Sequence, residues 1–482
     1  MLIAAMLTFQ KTAIYKKFLG ISYKFFKILT NHSPVLQKKT DVLVTEIMSG
    51  ITAGLAQQEM DKQIPPIKQN IMQLVGILDL AGMIKKQKKN ENEISKIQQE
   101  LISFSEEVEN FPVKQKRILI LSAIYGSAHL SVSKAIKQAI EELYGYDFKI
   151  EIVDFLEILN ATFNKSSHYF YEGSIRHMPS LWQFFFTSTD KKWQVKLLNM
   201  LHYPFVANKL TKFFREKNPS LIISTFPVWD YIAIQIWKKY NPKAKFISVV
   251  TDSISIHSSW ATADSDYHIV ANKETAGSLK KLGVKDDKIK VLGFPINLNF
   301  LKKTDRKKCL KSIGLNPKLY TIIFLPTHET LLKTNKTMKE LLREPRDYNL
   351  IVIAGRNAKL IPKLNKYSGL KNVHTIGWTD NLPSLIHSAD LVITKAGGAI
   401  LMECITAKKP MLINHFIPGH EKGNAALIKK YKLGIIMDEE KPSTRKAIAQ
   451  IRSHQKEYIK RLEKLANPGA ALDIARFIKN II

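Results

Sequence analysis

The spacing of apolar residues divides the chain into two kinds of sequence. Ile14, Phe18, Ile21, Phe25 and Ile28 recur at steps of four and three, so they share one face of a helix. Lys16, Lys24 and Lys27 fall near the opposite side. Ser33-Pro34 ends that helix, and Ile64-Pro65-Pro66 interrupts the next stretch. Ile71 to Ile84 is apolar at helical spacing, and Lys85 to Asn110 is rich in lysine and glutamate, as a solvated helix is. Residues 1–115 therefore read as a helical N-terminal extension, and no chemistry is evident in 40–115.

From Arg117 onward the pattern changes. Ile118-Leu119-Ile120-Leu121 is a short unbroken apolar run, as expected of a parallel strand covered on both faces. A small-residue turn follows, Tyr125-Gly126-Ser127-Ala128-His129, and then Val132, Ile136, Ala139, Ile140 and Leu143 repeat at helical spacing. Ile150 to Val153 is the next strand, which completes a strand, turn, helix, strand unit. The unit recurs at Leu221 to Ser224, Tyr231 to Lys238 and Phe246 to Val250. A second series begins after Pro295, with runs at Thr321 to Leu325, Leu350 to Ala354, Val373 to Ile376, Leu391 to Thr394 and Met411 to Asn414. The prediction is an α/β fold of two successive parallel-sheet domains, 116–297 and 298–460, linked near 297–306 and followed by a C-terminal helix over 461–482.

Composition narrows the function classes. At 482 residues the chain is long enough for two or three domains, and 45% apolar with 24% charged residues excludes global disorder. Lysine and arginine exceed the acids by 31, which predicts an anionic partner: phosphate, nucleic acid or an acidic membrane face. Two cysteines, Cys309 and Cys404, make neither a disulfide scaffold nor a zinc site. No apolar run reaches the ~18 residues of a membrane span. The apolar start, Met1 to Phe9, lacks the basic flank and cleavage site of a secretion signal. Gln10 to Lys39 carries seven lysines and no acid, and with aromatics on its apolar face it reads as an interfacial membrane helix; the alternative is a helix docked on the protein. The lysines spread along the whole chain and no aromatic-glycine RNA motif is present, which argues against nucleic acid.

Candidate chemistry gathers where strands meet helices in the second series. Ile393-Thr394-Lys395-Ala396-Gly397-Gly398 is a strand running into a glycine turn, where backbone N–H groups can approach a diphosphate. Glu403 follows about a turn and a half into the helix, placed to accept hydrogen bonds from ribose hydroxyls; a solvated helix glutamate is the alternative. Ile417-Pro418-Gly419-His420-Glu421-Lys422-Gly423-Asn424 clusters polar groups that suit sugar hydroxyls, or an ordinary capping turn.

The ordered set of motifs resembles a known family. The set runs through the turn ending in His129, Pro219 to Pro227, Val249 to Trp260, Gly293-Phe294-Pro295-Ile296, Ala354-Gly355-Arg356-Asn357 and Gly377-Trp378-Thr379-Asp380-Asn381. It continues through Thr394 to Gly398, Pro418-Gly419-His420-Glu421 and Asn467-Pro468 with Ala470-Ala471-Asp473-Ile474. Over Lys116 to Ile481 the chain resembles the monogalactosyldiacylglycerol synthases and processive diacylglycerol glucosyltransferases, relatives of the peptidoglycan N-acetylglucosaminyltransferase. The resemblance implies a glycosyltransferase-B fold of two Rossmann-like domains across a cleft, the first for the lipid acceptor and the second for the nucleotide sugar.

It also implies an inverting, metal-independent hexosyltransferase that takes UDP-glucose or UDP-galactose to diacylglycerol or a related lipid. Such an enzyme needs no cofactor and works peripherally on the cytoplasmic face of a membrane. Alternatives from other classes are a sugar transferase with a different acceptor and a non-catalytic sugar-nucleotide or nucleic-acid binder on a degenerate fold. Carried over by motif, Gly397, Gly398 and Ala399 meet the diphosphate, Glu403 the ribose, and Trp378 and Thr379 the uracil. His420, Glu421 and Asn424 face the sugar and phosphates, and Arg356 and Thr327 complete the donor side. His129 is the candidate general base, with Gly126, Asp252, His257 and Trp260 on the acceptor side. The chain departs from the family pattern in its first turn, which carries fewer glycines, in the loop Pro326-Thr327-His328-Glu329, and in His420, which stands where the family has glutamine.

Overall fold

In a computed structural model the described residues are 16–24, 34–57, 66–75, 77, 88–109, 115–123, 128–145, 147–159, 173, 178–326, 331–343, 345–355, 360–365, 367, 369–417, 421–437 and 443–482. The chain forms two compact units: Met1–Lys116 with Tyr144–Lys149, and Arg117–Leu143 with Ile150–Ile482.

The first unit is helical, with helices Pro34–Gln57 and Lys88–Glu109 and its own core. Phe18 and Ile21 lie in that core with Leu43, Ile47, Ile71 and Phe104, and the Phe18 and Phe104 rings stack at 5.2 Å. Lys24 pairs with Glu100 at 2.8 Å. This corrects the expectation of an interfacial membrane helix over the described part of that segment, 16–24. Phe18 and Ile21 are covered by protein, while Leu19 and Tyr23 join the lysines on the exposed side. Phe25, Phe26 and Ile28 lie outside the described residues. Among the described residues no helix is long and apolar enough to cross a membrane.

The second unit holds two six-stranded sheets. The strands of the first are β1 (Lys116–Ser122), β2 (Phe148–Asp154), β3 (Leu221–Ser224), β4 (Lys245–Val249), β5 (Tyr267–Val270) and β6 (Ile289–Val291), in the order β2-β1-β3-β4-β5-β6. The strands of the second are β7 (Tyr320–Phe324), β8 (Tyr348–Ile353), β9 (Val373–Ile376), β10 (Leu391–Lys395), β11 (Met411–His415) and β12 (Gly434–Ile436), in the order β12-β11-β10-β7-β8-β9. The β1–β3 and β7–β10 pairings are parallel. Strands such as β3 and β8 are buried at every position because helices cover both faces, which is why their sequences are mostly apolar.

Each order reverses once, between β1 and β3 in the first sheet and between β10 and β7 in the second. At such a reversal the connections leave to opposite faces and open a crevice at the C-terminal strand ends. His129 follows β1, and Gly397-Gly398 follows β10, so both sit at these reversals. The last helix, Ala470–Ile481, packs back on the first sheet: Phe477 meets Tyr267 edge-on at 5.1 Å, and Asn467 donates to the Leu292 carbonyl at 3.1 Å. A Cβ on Gly293 would come within 2.7 Å of the Ala470 Cβ, and its φ of +96° independently requires glycine.

Candidate active site

The donor half is built on the end of β10. Helix Gly398–Thr406 starts at Gly397, which contributes no side-chain cap. The first-turn N–H groups of a helix have no carbonyl partner inside it, so without a capping side chain they are available to an anion. Glycine at 398 answers to close packing: a Cβ there would lie 3.0 Å from the Thr251 carbonyl and 4.0 Å from the Ala128 Cβ. Both of these belong to the first α/β domain, so the turn after β10 packs against the loop after β4 and the start of the helix that carries His129. Ala399 is buried beside it.

Glu403 is buried in that helix, and burial pushes its carboxyl up to about 7. Among the described residues its carboxyl makes no hydrogen bond, and burial is the cause of its raised value. Trp378 is well exposed just beyond β9, at the same C-terminal edge of the sheet, and Thr379 accepts from the Asn381 N–H at 3.0 Å. An exposed indole in that place offers a stacking surface for a base.

Asn424, buried in helix Lys422–Tyr431, donates its side-chain N–H to the Ala396 carbonyl at 2.9 Å and so fixes the turn before Gly397. Among the described residues its buried side-chain oxygen has no partner. Glu421, expected to face the sugar, has both oxygens engaged: one accepts from the Ile417 N–H at 2.9 Å, and the other lies 3.1 Å from the Lys395 ammonium. Gly423 packs against the loop after β4, where a Cβ would lie 1.9 Å from the Ser253 carbonyl. Gly126, Thr327, Arg356 and His420 lie outside the described residues.

The acceptor half is built around His129, the second residue of helix Ala128–Tyr144 and buried. Its Nδ1 lies 2.6 Å from the Thr225 carbonyl at the end of β3. A carbonyl only accepts, so Nδ1 carries the proton, and in the neutral ring Nε2 carries the lone pair. The Thr251 hydroxyl stands 3.1 Å from the same Nδ1, and the Phe226 ring packs edge-on at 5.1 Å. The contact to backbone therefore orients the imidazole. Thr225 and Thr251 carry that orientation and were not singled out from the sequence; they lie one and two residues beyond the ends of β3 and β4, inside motifs that were.

Asp252 accepts from the Trp260 indole N–H at 2.7 Å. Trp260, expected on the acceptor side, is 1% exposed and packs in a core cluster with Val250 and Ile256, so its part is to hold Asp252 and the loop. His257 is also tied within the domain. Its Nδ1 accepts from the Ser259 N–H at 3.2 Å, and its Nε2 lies 3.4 Å from the Thr189 hydroxyl and 3.8 Å from Asp190. The loop between Asp252 and His257 holds Ile254 at φ +58°, a costly conformation for a β-branched residue. It is pinned by the Ile254 N–H donating to the Thr275 hydroxyl and by Ser278 donating to the Ile254 carbonyl.

The two parallel α/β domains have the glycosyltransferase-B fold, and the family matches define the class: the protein is a glycosyltransferase. Residues 129–296 match the family model for monogalactosyldiacylglycerol (MGDG) synthase, and residues 327–480 match that for the glycosyltransferase family 28 C-terminal domain. The chain is 28% identical over 383 residues to monogalactosyldiacylglycerol synthase 3, chloroplastic, of Arabidopsis thaliana, covering 76% of this chain and 81% of the relative. It is 25% identical over 326 residues to the processive diacylglycerol beta-glucosyltransferase of Bacillus licheniformis, covering 67% of this chain and 83% of the relative. Its relatives are thus glycolipid-synthesising glycosyltransferases. Among solved structures, the glycotransferase of kitacinnamycin superposes with a TM-score of 0.51 at 13% identity, covering 76% of this chain and 99% of that one, a likeness of fold.

Proposed function

We propose that the protein transfers a hexose from a UDP-sugar to diacylglycerol at a membrane surface, by a single displacement that inverts the anomeric centre and uses no metal in the donor site. The observation that carries this reading is the pairing of a base-form His129 with the uncapped start of helix Gly398–Thr406 across one narrow cleft. His129 Nε2 takes the proton of the acceptor hydroxyl as that oxygen bonds to the sugar's anomeric carbon. The bond from that carbon to the diphosphate oxygen breaks, and its electrons leave with the nucleotide. The charge that develops meets the N–H groups of the first helical turn and the positive end of the helix. Glu403 holds the ribose hydroxyls, and Trp378 stacks on the uracil.

Membrane contact is supported by the acceptor domain. Helix Lys192–Lys217 exposes Trp193, Leu197, Leu198, Met200, Leu201 and Phe205, with Phe205 81% exposed. Lys191, Lys196, Lys209 and Lys212 are exposed nearby. A dense apolar face rimmed by lysines suits an anionic bilayer, where each lysine near the surface contributes ~1 kcal/mol before screening.

The test is incubation of the purified protein with diacylglycerol-containing anionic vesicles and either UDP-glucose or UDP-galactose. The expected product is a hexosyl-diacylglycerol of inverted configuration, identified by mass spectrometry and NMR, formed equally well in chelator. Nucleotide release without a lipid product, or a product of retained configuration, would refute the reading.

A further inference from the structure

Lys395 is the last residue of β10 and stands immediately before the Ala396-Gly397-Gly398 turn. The pairing with β11 slips between Thr394 and Lys395: Thr394 opposes Ile413, but Lys395 opposes His415. Such an irregularity re-aims a side chain at a strand end. Here the lysine stem runs along the turn, and a Cβ built on Gly397 would lie 3.7 Å from Lys395 Cε and 3.8 Å from Glu421 Oε1. The ammonium and the Glu421 carboxylate are 3.1 Å apart, and the Glu421 side chain is only 4% exposed.

A buried carboxylate beside the turn that receives a diphosphate is electrostatically unfavourable unless a cation lies between them. We infer that Lys395 is the leaving-group residue. In the empty site it neutralises Glu421; when the donor binds, its ammonium turns to the β-phosphate, and it stabilises the charge that develops there as the sugar–oxygen bond breaks. Glu421 keeps the Ile417 N–H on one oxygen and presents the other to a sugar hydroxyl, which reconciles its expected role with its observed partners. An ammonium has three donors, enough to bridge carboxylate and phosphate. The inference rests on the UDP-sugar reading above.

The experiment compares binding of uridine, UMP and UDP by calorimetry in wild type, Lys395→Met, Lys395→Arg and Glu421→Gln. Lys395→Met is expected to weaken UDP by ~10- to 100-fold, the loss of a charge-assisted bond, with uridine and UMP within twofold. Lys395→Arg retains most of the UDP affinity, and Glu421→Gln keeps it or tightens it, because the Glu421 carboxylate no longer competes for the ammonium. Turnover of Lys395→Met falls ~10²- to 10³-fold with a smaller change in KM, as for a group used mainly in the transition state. Equal weakening of uridine and UDP in Lys395→Met, or a Glu421→Gln loss that matches it, would show a structural ion pair and overturn the inference. Unchanged UDP binding in Lys395→Met would overturn it as well. Failure of the wild type to bind uridine and UDP at all would instead sink the donor reading on which it rests.

Discussion

Glu403 gives the sharpest test of the donor site because its burial makes nucleotide binding pH-dependent in a calculable way. Burial holds its carboxyl at about 7. A group with that pKa is ionised in ~3% of molecules at pH 5.5 and ~90% at pH 8. Two ribose hydroxyls donating to the carboxylate favour its charged form, so the bound complex holds it near the ordinary glutamate range. The UDP association constant is therefore expected to rise ~25-fold between pH 5.5 and pH 8 from this group alone. UDP has its own titrating phosphate, so the quantity to measure is the ratio of wild-type to Glu403→Gln affinities, in which that titration cancels. Calorimetric titrations at half-unit steps should show the ratio climbing with pH and levelling above 7. A second consequence concerns stability. The folded-state value lies above the unfolded one, so the protonated form favours folding, and stability is lost as pH rises from about 4.5 through about 7. That loss is ~3 kcal/mol at full ionisation, and Glu403→Gln should remove it, melting higher than wild type at pH 8 and equally at pH 4.5. Parallel pH profiles of UDP affinity for the two proteins would refute the reasoning.

Four further outcomes follow from the same geometry. His129→Ala should lower turnover ~10²- to 10⁴-fold while leaving UDP affinity within threefold, and turnover near wild type would move the base elsewhere. Gly423→Ala places a methyl 1.9 Å from the Ser253 carbonyl, so the helix start must withdraw from the loop after β4; a fall in turnover of at least tenfold with a retained fold by circular dichroism is expected, and unimpaired kinetics would show that the domains need not meet there. Leu201→Ser with Phe205→Ser should weaken partition into anionic vesicles ~30- to 100-fold in sedimentation assays, since the two exposed side chains together contribute ~2–3 kcal/mol when they enter the interface. Replacing Lys16, Lys17 and Lys24 by Gln should have little effect in the same assay, because Phe18 and Ile21 beside them are covered by protein.

Much of this molecule was legible in its sequence because the relevant signals are local. A strand buried on both faces must be apolar throughout, so Ile118 to Leu121 and Leu391 to Ile393 announce themselves. A turn that admits a backbone to an anion needs small residues, so Ala396-Gly397-Gly398 is visible as well, and the order of such motifs points to the two-domain fold. Helical spacing alone, however, could not say what covers the apolar face of Phe18 and Ile21; bilayer and protein core ask for the same pattern, and only packing against Ile47, Ile71 and Phe104 decided it. The exposed face of Lys192–Lys217 escaped notice because a helix whose apolar residues also face solvent has no clean amphipathic stripe. Tertiary structure alone decided the state of the chemical groups. The proton on His129 is set by a carbonyl 96 residues away, the acidity of Glu403 by the burial around it, and the partner of Glu421 by an irregularity in the β10–β11 pairing. Each of these depends on which distant residue occupies the neighbouring space, and spacing along a chain encodes the shape of its elements but not the dielectric or the hydrogen-bond partners that their packing creates.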